Sequence, residues 1–254
     1  MRILVTNDDG IDAPGLRVLA AALRPLGEVV VVAPERERSA VSHAITMYDP
    51  LRAWRADFDG CIAWAVSGMP ADCVLLAVRE LLAAPPDVVA SGINRGANLG
   101  EDVWYSGTVS AAMEGAVVGV PSIAVSTAAM GPTDHWDYRA AAEWAQRLVP
   151  LAAERLAPGT ILNVNVPNLP PEQIAGARLC RQGRRAYGGA YDKRQDPRGG
   201  TYYWLGSDLP RDEPADGTDV TALYARQVAI TPVSLDLTDY RALGELAAWI
   251  PTGL

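Results

Sequence analysis

Short apolar runs alternate with amphipathic stretches along most of this chain, and that alternation constrains its fold more than any other feature. Arg2 to Thr6 is an apolar run closed by a Gly-containing turn, after which Leu16, Leu19, Ala20 and Leu23 recur at helical spacing within Pro14 to Leu23. Asp12 is expected as the N-cap of that helix and Gly27 as its stop. Glu28 to Ala33 is almost wholly valine, the composition of a strand buried on both faces of a parallel sheet. Helices are then expected near Ala71 to Leu82, Thr108 to Val118 and Tyr138 to Leu156, between strands at Asp87 to Ser91, Ser122 to Ser126 and Thr160 to Val166. Strands alternating with helices predict an α/β fold: a doubly wound, mostly parallel Rossmann-like sheet with helices on both faces.

Beyond about Gly176 the character changes. A strand is expected at Arg178 to Gln182, and the stretch from Tyr187 to Trp204, rich in Gly and Tyr and too polar for a core, reads as a long hairpin or loop. A helix near Thr218 to Arg226, a strand at Val228 to Pro232 and a terminal helix near Tyr240 to Ile250 complete the pattern. Residues 1–254 are read as one domain, with about 177–254 as a C-terminal extension or arm. Exposed Tyr187, Tyr191, Tyr202, Tyr203 and Trp204 would suit packing on a second subunit, so a homo-oligomer built through this hairpin and helix arm is expected.

Composition removes several classes. No apolar run of about eighteen residues is present and the first residues form a strand rather than a basic-then-apolar leader, so neither a membrane span nor secretion is expected and a cytoplasmic setting is. The formal net charge of −8 argues against a nucleic-acid polymer as partner, while leaving small anions open. Cys61, Cys73 and Cys180 are widely spaced, and His43 and His135 are the only histidines, which disfavours zinc and disulfide frameworks. Lys193 is the sole lysine, so P-loop and Schiff-base chemistry fall away.

In an open α/β sheet, ligands bind beyond the carboxyl ends of the strands. Three such ends are unusual here. Thr6-Asn7-Asp8-Asp9-Gly10 puts adjacent carboxylates after a buried strand; Gly10 eases the turn that would let both face one ion, and an exposed Asx-turn with a helix cap explains the segment equally well. Pro34 to Ala40 alternates charges as a solvated loop does, but its place at a strand end raises Ser39 as an oxygen ligand. The third, Ser91-Gly92-Ile93-Asn94 through Asn98, leads to Ser106-Gly107-Thr108 at a helix start, where Asn side chains and free backbone N–H groups could meet a phosphate; a Gly-rich turn with a Ser or Thr cap is the plain alternative.

Val5 to Gly10, Arg38-Ser39 with Ile45-Thr46, Gly68 to Val74, Ser91 to Asn94 and Tyr105 to Val109 together resemble the SurE family of survival-protein nucleotidases, over roughly the first half of the chain. Met69 departs from the Thr usual in that motif, and His43 falls at a variable place. The resemblance implies a phosphomonoesterase that hydrolyses nucleoside 5′- and 3′-monophosphates, with a side activity on short polyphosphate. It implies one divalent cation per subunit held by Asp8, Asp9, Ser39 and Asn94, a phosphate loop at Ser106, Gly107 and Thr108, and a homodimer or homotetramer that exchanges the C-terminal arm.

Hard oxygen donors favour Mg²⁺ or Mn²⁺ over zinc. The expected reaction is attack of a metal-bound water, with Asp8 or Asp9 orienting or deprotonating it, Asn98 and Ser106 to Thr108 steadying phosphate oxygens, and His43 an optional acid for the leaving group. Receiver domains and haloacid-dehalogenase phosphatases also use clustered acids, but both need a lysine, and Asp8-Asp9-Gly10 lacks the dehalogenase spacing. A non-catalytic nucleotide-binding module with a receiver-like acidic pocket remains the alternative.

Overall fold

A computed structural model describes residues 1–129, 131, 133–189, 191–206 and 211–246. The first apolar run forms β1 (Arg2–Thr6), followed by α1 (Pro14–Leu23), β2 (Glu28–Pro34), β3 (Ala53–Arg55) and β4 (Ile62–Val66). Then come α2 (Pro70–Leu76), β5 (Val88–Arg95), α3 (Gly107–Val117), β6 (Ser122–Ala128), α4 (Arg139–Arg155) and β7 (Thr160–Pro167). The C-terminal part holds β8 (Ala177–Leu179), β9 (Arg184–Ala186), β10 (Tyr191–Gln195), β11 (Thr201–Leu205), β12 (Arg211–Glu213), α5 (Asp219–Tyr224), β13 (Val228–Ser234) and α6 (Tyr240–Leu246).

Nine strands make one sheet in the order β3-β4-β2-β1-β5-β6-β7-β13-β8. Its neighbours are parallel except at β3/β4 and β7/β13, which are antiparallel, so the expected mostly parallel α/β architecture is the one observed. The chain winds outward from β1 in one direction through β2 and from β5 in the other. That reversal puts a crevice between the carboxyl ends of β1 and β5. Strand alternation feeds two cores: Ile3 and Val5 face α1 and α4, while Leu4 faces the opposite layer with Cys73 and Val74 of α2 and Ala111 of α3.

Several local expectations are corrected. Ala13, not Asp12, is the N-cap of α1; Asp12 lies 3.6 Å from Arg17 instead, and Pro14 supplies the helix start. A 3₁₀ turn, Arg24–Leu26, carries α1 on to the stop at Gly27. The helix expected to Leu82 is α-helical only to Leu76 and continues as a π-helical turn, Ala77–Leu81. The expected strand at Arg178 to Gln182 is the shorter β8, and the end of the expected terminal helix lies outside the described residues. Tyr187 to Trp204 does contain a hairpin, β10 paired antiparallel with β11. Among the described residues no helix is long and apolar enough to cross a membrane.

The largest difference that bears on function is in β5. The strand does not stop at Ser91 but runs to Arg95, with a bulge between Gly92 and Asn94 where it pairs with β6. A bulge re-aims the residue after it. Gly92 adopts φ +130°, and a Cβ there would fall 2.2 Å from the Val125 carbonyl oxygen. Gly92→Ala is therefore expected to lower stability by about 2 kcal/mol or more. Urea unfolding followed by far-UV circular dichroism tests this; a midpoint equal to that of the parent chain would contradict it.

Candidate active site at the carboxyl ends of β1, β2 and β5

The turn after β1 is closed by Asn7 rather than by either aspartate. Its Nδ2 donates to the Gly10 carbonyl at 3.0 Å and its Oδ1 accepts from the Gly10 N–H at 3.2 Å. Asn7 thus makes the Asx-type turn itself, leaving the Asp8 and Asp9 carboxylates to do something else. Asp8 is only 4% exposed and sits at the N-terminus of α3, where the Thr108 hydroxyl donates to its Oδ1. The close approach requires glycine at 107, because a Cβ there would lie 2.6 Å from that of Asp8. Asp9 is half-buried, and its Oδ2 accepts from the Arg95 backbone N–H at 3.2 Å, tying the ends of β1 and β5 together.

The loop after β2 is fastened to the same turn, since the Arg38 N–H donates to the Asp8 carbonyl at 2.7 Å. That anchor brings Glu37 and Ser39 to the crevice, and the Ser39 hydroxyl donates to Glu37 Oε1 at 2.7 Å. Farther along, Thr46 donates twice to the buried Asp72 carboxylate, which also caps α2 by accepting from the Met69 N–H at 2.8 Å. On β5, Asn94 commits its amide nitrogen to the Gly96 carbonyl at 2.9 Å, which leaves Oδ1 as its free donor atom for a ligand.

Asp8, Asp9, Ser39, Asn94, Asn98 and Ser106 all line one cavity of about 660 Å³. Gly107 and Thr108 do not line it; they stand behind Asp8, so the Thr108 hydroxyl holds a carboxylate in this structure. Ser106 is the N-cap of α3, its oxygen accepting from the Val109 N–H at 3.1 Å. Asn98 is clamped by Ser126, Asn163 and Asn165 through both backbone and side chain. His43 is not in the cavity lining and pairs with Glu114 of α3 at 2.8 Å.

The wall also includes Glu37, Arg95, Asp102, Tyr105 and Leu205, which sequence reasoning did not assign to the site, and Tyr187 and Tyr191, which it pointed to as packing on a second subunit. Asp102 is neutralised by Arg185 of β9 at 2.9 Å and accepts from the Tyr187 hydroxyl at 2.7 Å. Arg185 also grips Asp212 of β12 at 2.7 Å, so a partly buried ion network docks this segment on the cavity rim. Nothing local in the sequence pairs residues so far apart. Their charge complementarity alone was available as a signal.

These features match a known pattern. The model of the Survival protein SurE family matches residues 3–189. The chain belongs to the SurE family. It is 50% identical over its whole length to the 5′-nucleotidase SurE of Heliobacterium modesticaldum, covering 93% of that relative. It is 51% identical to that of Geobacter metallireducens, over 98% of this chain and 97% of the relative. The crystal structure of the SurE protein from Aquifex aeolicus superposes with a TM-score of 0.81 at 41% identity, over 98% of this chain and 99% of that one. SurE similarity therefore extends past the motif-bearing first half into the C-terminal strands.

Burial is the dominant influence on the paired acids of this SurE chain. It pushes the Asp8 carboxyl from its usual 3.8 up to about 6, against the lowering effect of the Thr108 bond and with a further rise from the Asp9 charge. Asp9 is also raised, again chiefly by burial. In the absence of a cation the folded chain thus holds a proton on Asp8 that the unfolded chain has released between about pH 4 and 6. Stability falls as pH rises through that window, and the full penalty above it is about 3 kcal/mol. Asp8→Asn in the presence of EDTA is expected to raise the unfolding free energy at pH 7 by up to about 3 kcal/mol and to flatten its slope over that window. Denaturant titrations at pH 4, 5, 6 and 7 measure both; unchanged or lower stability of the variant at pH 7 would contradict the assignment.

Proposed function

We propose that this chain is a divalent-metal-dependent phosphomonoesterase that converts nucleoside 5′-monophosphates, and 3′-monophosphates, to nucleoside and phosphate. The observation that carries the reading is the buried Asp8 carboxylate beside Asp9, opening on one cavity with the neutral oxygens of Ser39 and Asn94. Family membership and relatives of about 50% identity named 5′-nucleotidases support the class of reaction.

The donor set fits a hard cation. It is all oxygen, no His or Cys lines the cavity among the described residues, and burial has already made the negative charge of both aspartates costly, which a cation beside them would relieve. Asp8, Asp9, Ser39 and Asn94 would hold it, and Mg²⁺ or Mn²⁺ suits such donors. Among the described residues no group of three His, Cys, Asp or Glu is suited to a metal, so the two carboxylates bring a modest charge. The chemistry that a bound divalent ion contributes at such a place is neutralisation of phosphoryl charge and acidification of water.

The chain's own groups divide the remaining work. Asp8 has one oxygen fixed by Thr108, which makes it a positioned, rigid donor. Asp9 likewise has one oxygen on the Arg95 N–H and the other free, and because it is half-buried where Asp8 is nearly inaccessible it is the better placed of the two to orient or deprotonate the attacking water. Ser106, the N-cap of α3, lines the cavity and brings the positive helix end up to it, which suits the phosphoryl oxygens. His43, held by Glu114, takes no step in this reading. Short polyphosphate, which presents the same terminal phosphoryl group, fits as a side substrate.

Oligomerisation through the C-terminal arm belongs to the same proposal. Tyr191, Tyr203, Trp204 and Leu205 of the β10–β11 hairpin are 66%, 58%, 62% and 68% exposed, an apolar display that a second copy would cover. Light scattering is expected to give a dimer or tetramer, and a monomer for a chain shortened at this hairpin.

Release of inorganic phosphate from 5′-AMP and 3′-AMP, with Mg²⁺, Mn²⁺ or EDTA, is the direct test. Activity is expected with a divalent ion and not with EDTA, and Asp9→Asn is expected to lower kcat about 100-fold or more. Binding of AMP with no phosphate release under any metal would instead favour the non-catalytic binding module.

A further inference from the structure

A second cavity, of about 340 Å³, adjoins the first and is lined by Ala13, Pro14 and Gly15 at the start of α1 and by Trp136 and Tyr138 ahead of α4. Asp9, Glu37 and Arg95 line both cavities, so the two adjoin with Asp9 at the junction. We propose that this second cavity is the subsite for the nucleobase and sugar of the substrate, with Trp136 as the stacking surface that selects nucleotides over other phosphate esters. The proposal rests on the nucleotidase reading above and names the part of the site that would recognise the nucleoside.

Chemistry separates the two cavities. Two aromatic side chains, a proline and two small residues give the second one an apolar wall, and its volume lies in the range of small-molecule sites. A base has a π-face that stacks on indole or phenol whatever its identity, so such a wall binds nucleosides without reading sequence. The shared carboxylates disfavour a phosphate there but suit the hydroxyls of a sugar; Glu37 accepts from Ser39 through Oε1 and keeps Oε2 for another donor. Arg95 carries a planar cation at the junction.

The aromatic segment is held in place. Asn168, just past β7, donates to the His135 carbonyl at 2.8 Å and accepts from the Asp137 N–H at 2.8 Å, bracketing Trp136 from both sides. The Tyr138 ring packs on Gly15, where a Cβ would fall 3.3 Å from Cε1. Prearranged aromatic groups cost little to order on binding. By contrast, the groove of about 530 Å³ beside Arg17, Trp54 and Arg55 shares no lining residue with the acidic cavity, whereas the second cavity shares three.

The test compares 5′-AMP with ribose 5-phosphate, which carries the same phosphate and sugar without a base. Trp136→Ala is expected to lower the ratio of kcat/KM for AMP to kcat/KM for ribose 5-phosphate about tenfold, the fold-change of one lost stack, mainly through KM for AMP. Trp136→Phe is expected to restore most of the ratio. An unchanged ratio in Trp136→Ala, or a fall produced instead by Tyr187→Ala, would overturn the assignment. If the parent chain hydrolyses neither ester, the nucleotidase reading fails, and calorimetry with adenosine decides the subsite alone: weaker binding by Trp136→Ala upholds it, and no binding or equal binding overturns it.

Discussion

A carboxylate buried where a strand meets the start of a helix is the constraint around which the rest of this site is arranged. Asp8 is nearly inaccessible, packed so tightly on α3 that only glycine fits at 107, and satisfied on one side by Thr108. Its backbone carbonyl receives Arg38, which sets the path of the loop carrying Glu37 and Ser39. Asn7 closes the turn that would otherwise consume one of the acids as a cap. A buried negative charge without a counter-ion is expensive, and here the cost is concentrated at one atom group facing a cavity. Such a place is suited to ligand binding because the fold does not relieve the charge itself.

The sheet makes this arrangement possible by reversing its winding between β1 and β5. Loops on either side of that point diverge and leave a crevice, into which β1 delivers the aspartates and β5, through its bulge, delivers Asn94. The floor beyond β5 is stiffened by a buried amide cluster: Asn98 reaches Asn165 and Ser126, and Asn163 and Asn165 both donate to its carbonyl. These buried polar groups bond one another, leaving Asn163 Oδ1 without a partner among the described residues, and the bonded network stiffens the loop it holds.

Legibility from sequence followed the range of the interactions. β1 and β2 were readable because burial on both faces demands near-continuous apolar runs, β6 and β7 through their Ile, Leu and Val despite the buried polar residues between them, and the acids after β1 stood out as a break in one such run. The short β3 and β4 escaped because Arg55 and the Asp57 to Gly60 turn interrupt their pattern, and β4 is partly exposed at Ile62 and Trp64. The extent of β5 was misjudged because glycine and asparagine read as loop, whereas the bulge keeps them in the sheet. Thr108 and Ser106 look alike in a Gly-rich segment, yet helix rotation turns one hydroxyl to Asp8 and the other to a capping bond. Insertion of β13 between β7 and β8, and the grip of Arg185 on Asp102 and Asp212, join residues far apart in the chain and leave no periodic trace.

The acidic lining of the cavity and the near-absence of lysine in the chain bear on the same chemistry. Asp102 is already met by Arg185, and among the described residues Arg95 is the one basic residue lining the cavity with Asp8, Asp9 and Glu37. A phosphate monoester approaching such a surface, on a chain of net charge −8, would be repelled at each step. An enzyme that met the phosphate with lysines would bind it without help; this chain has Lys193 alone, on the β10 strand of the exposed hairpin. On the proposed reading, affinity for the anion is conditional on a cation held by the acids, with the α3 N-terminus contributing the remaining partial charge. The acidic lining that disfavours phosphate by itself is the same feature that, on this reading, would suit the crevice to bind metal and ester together.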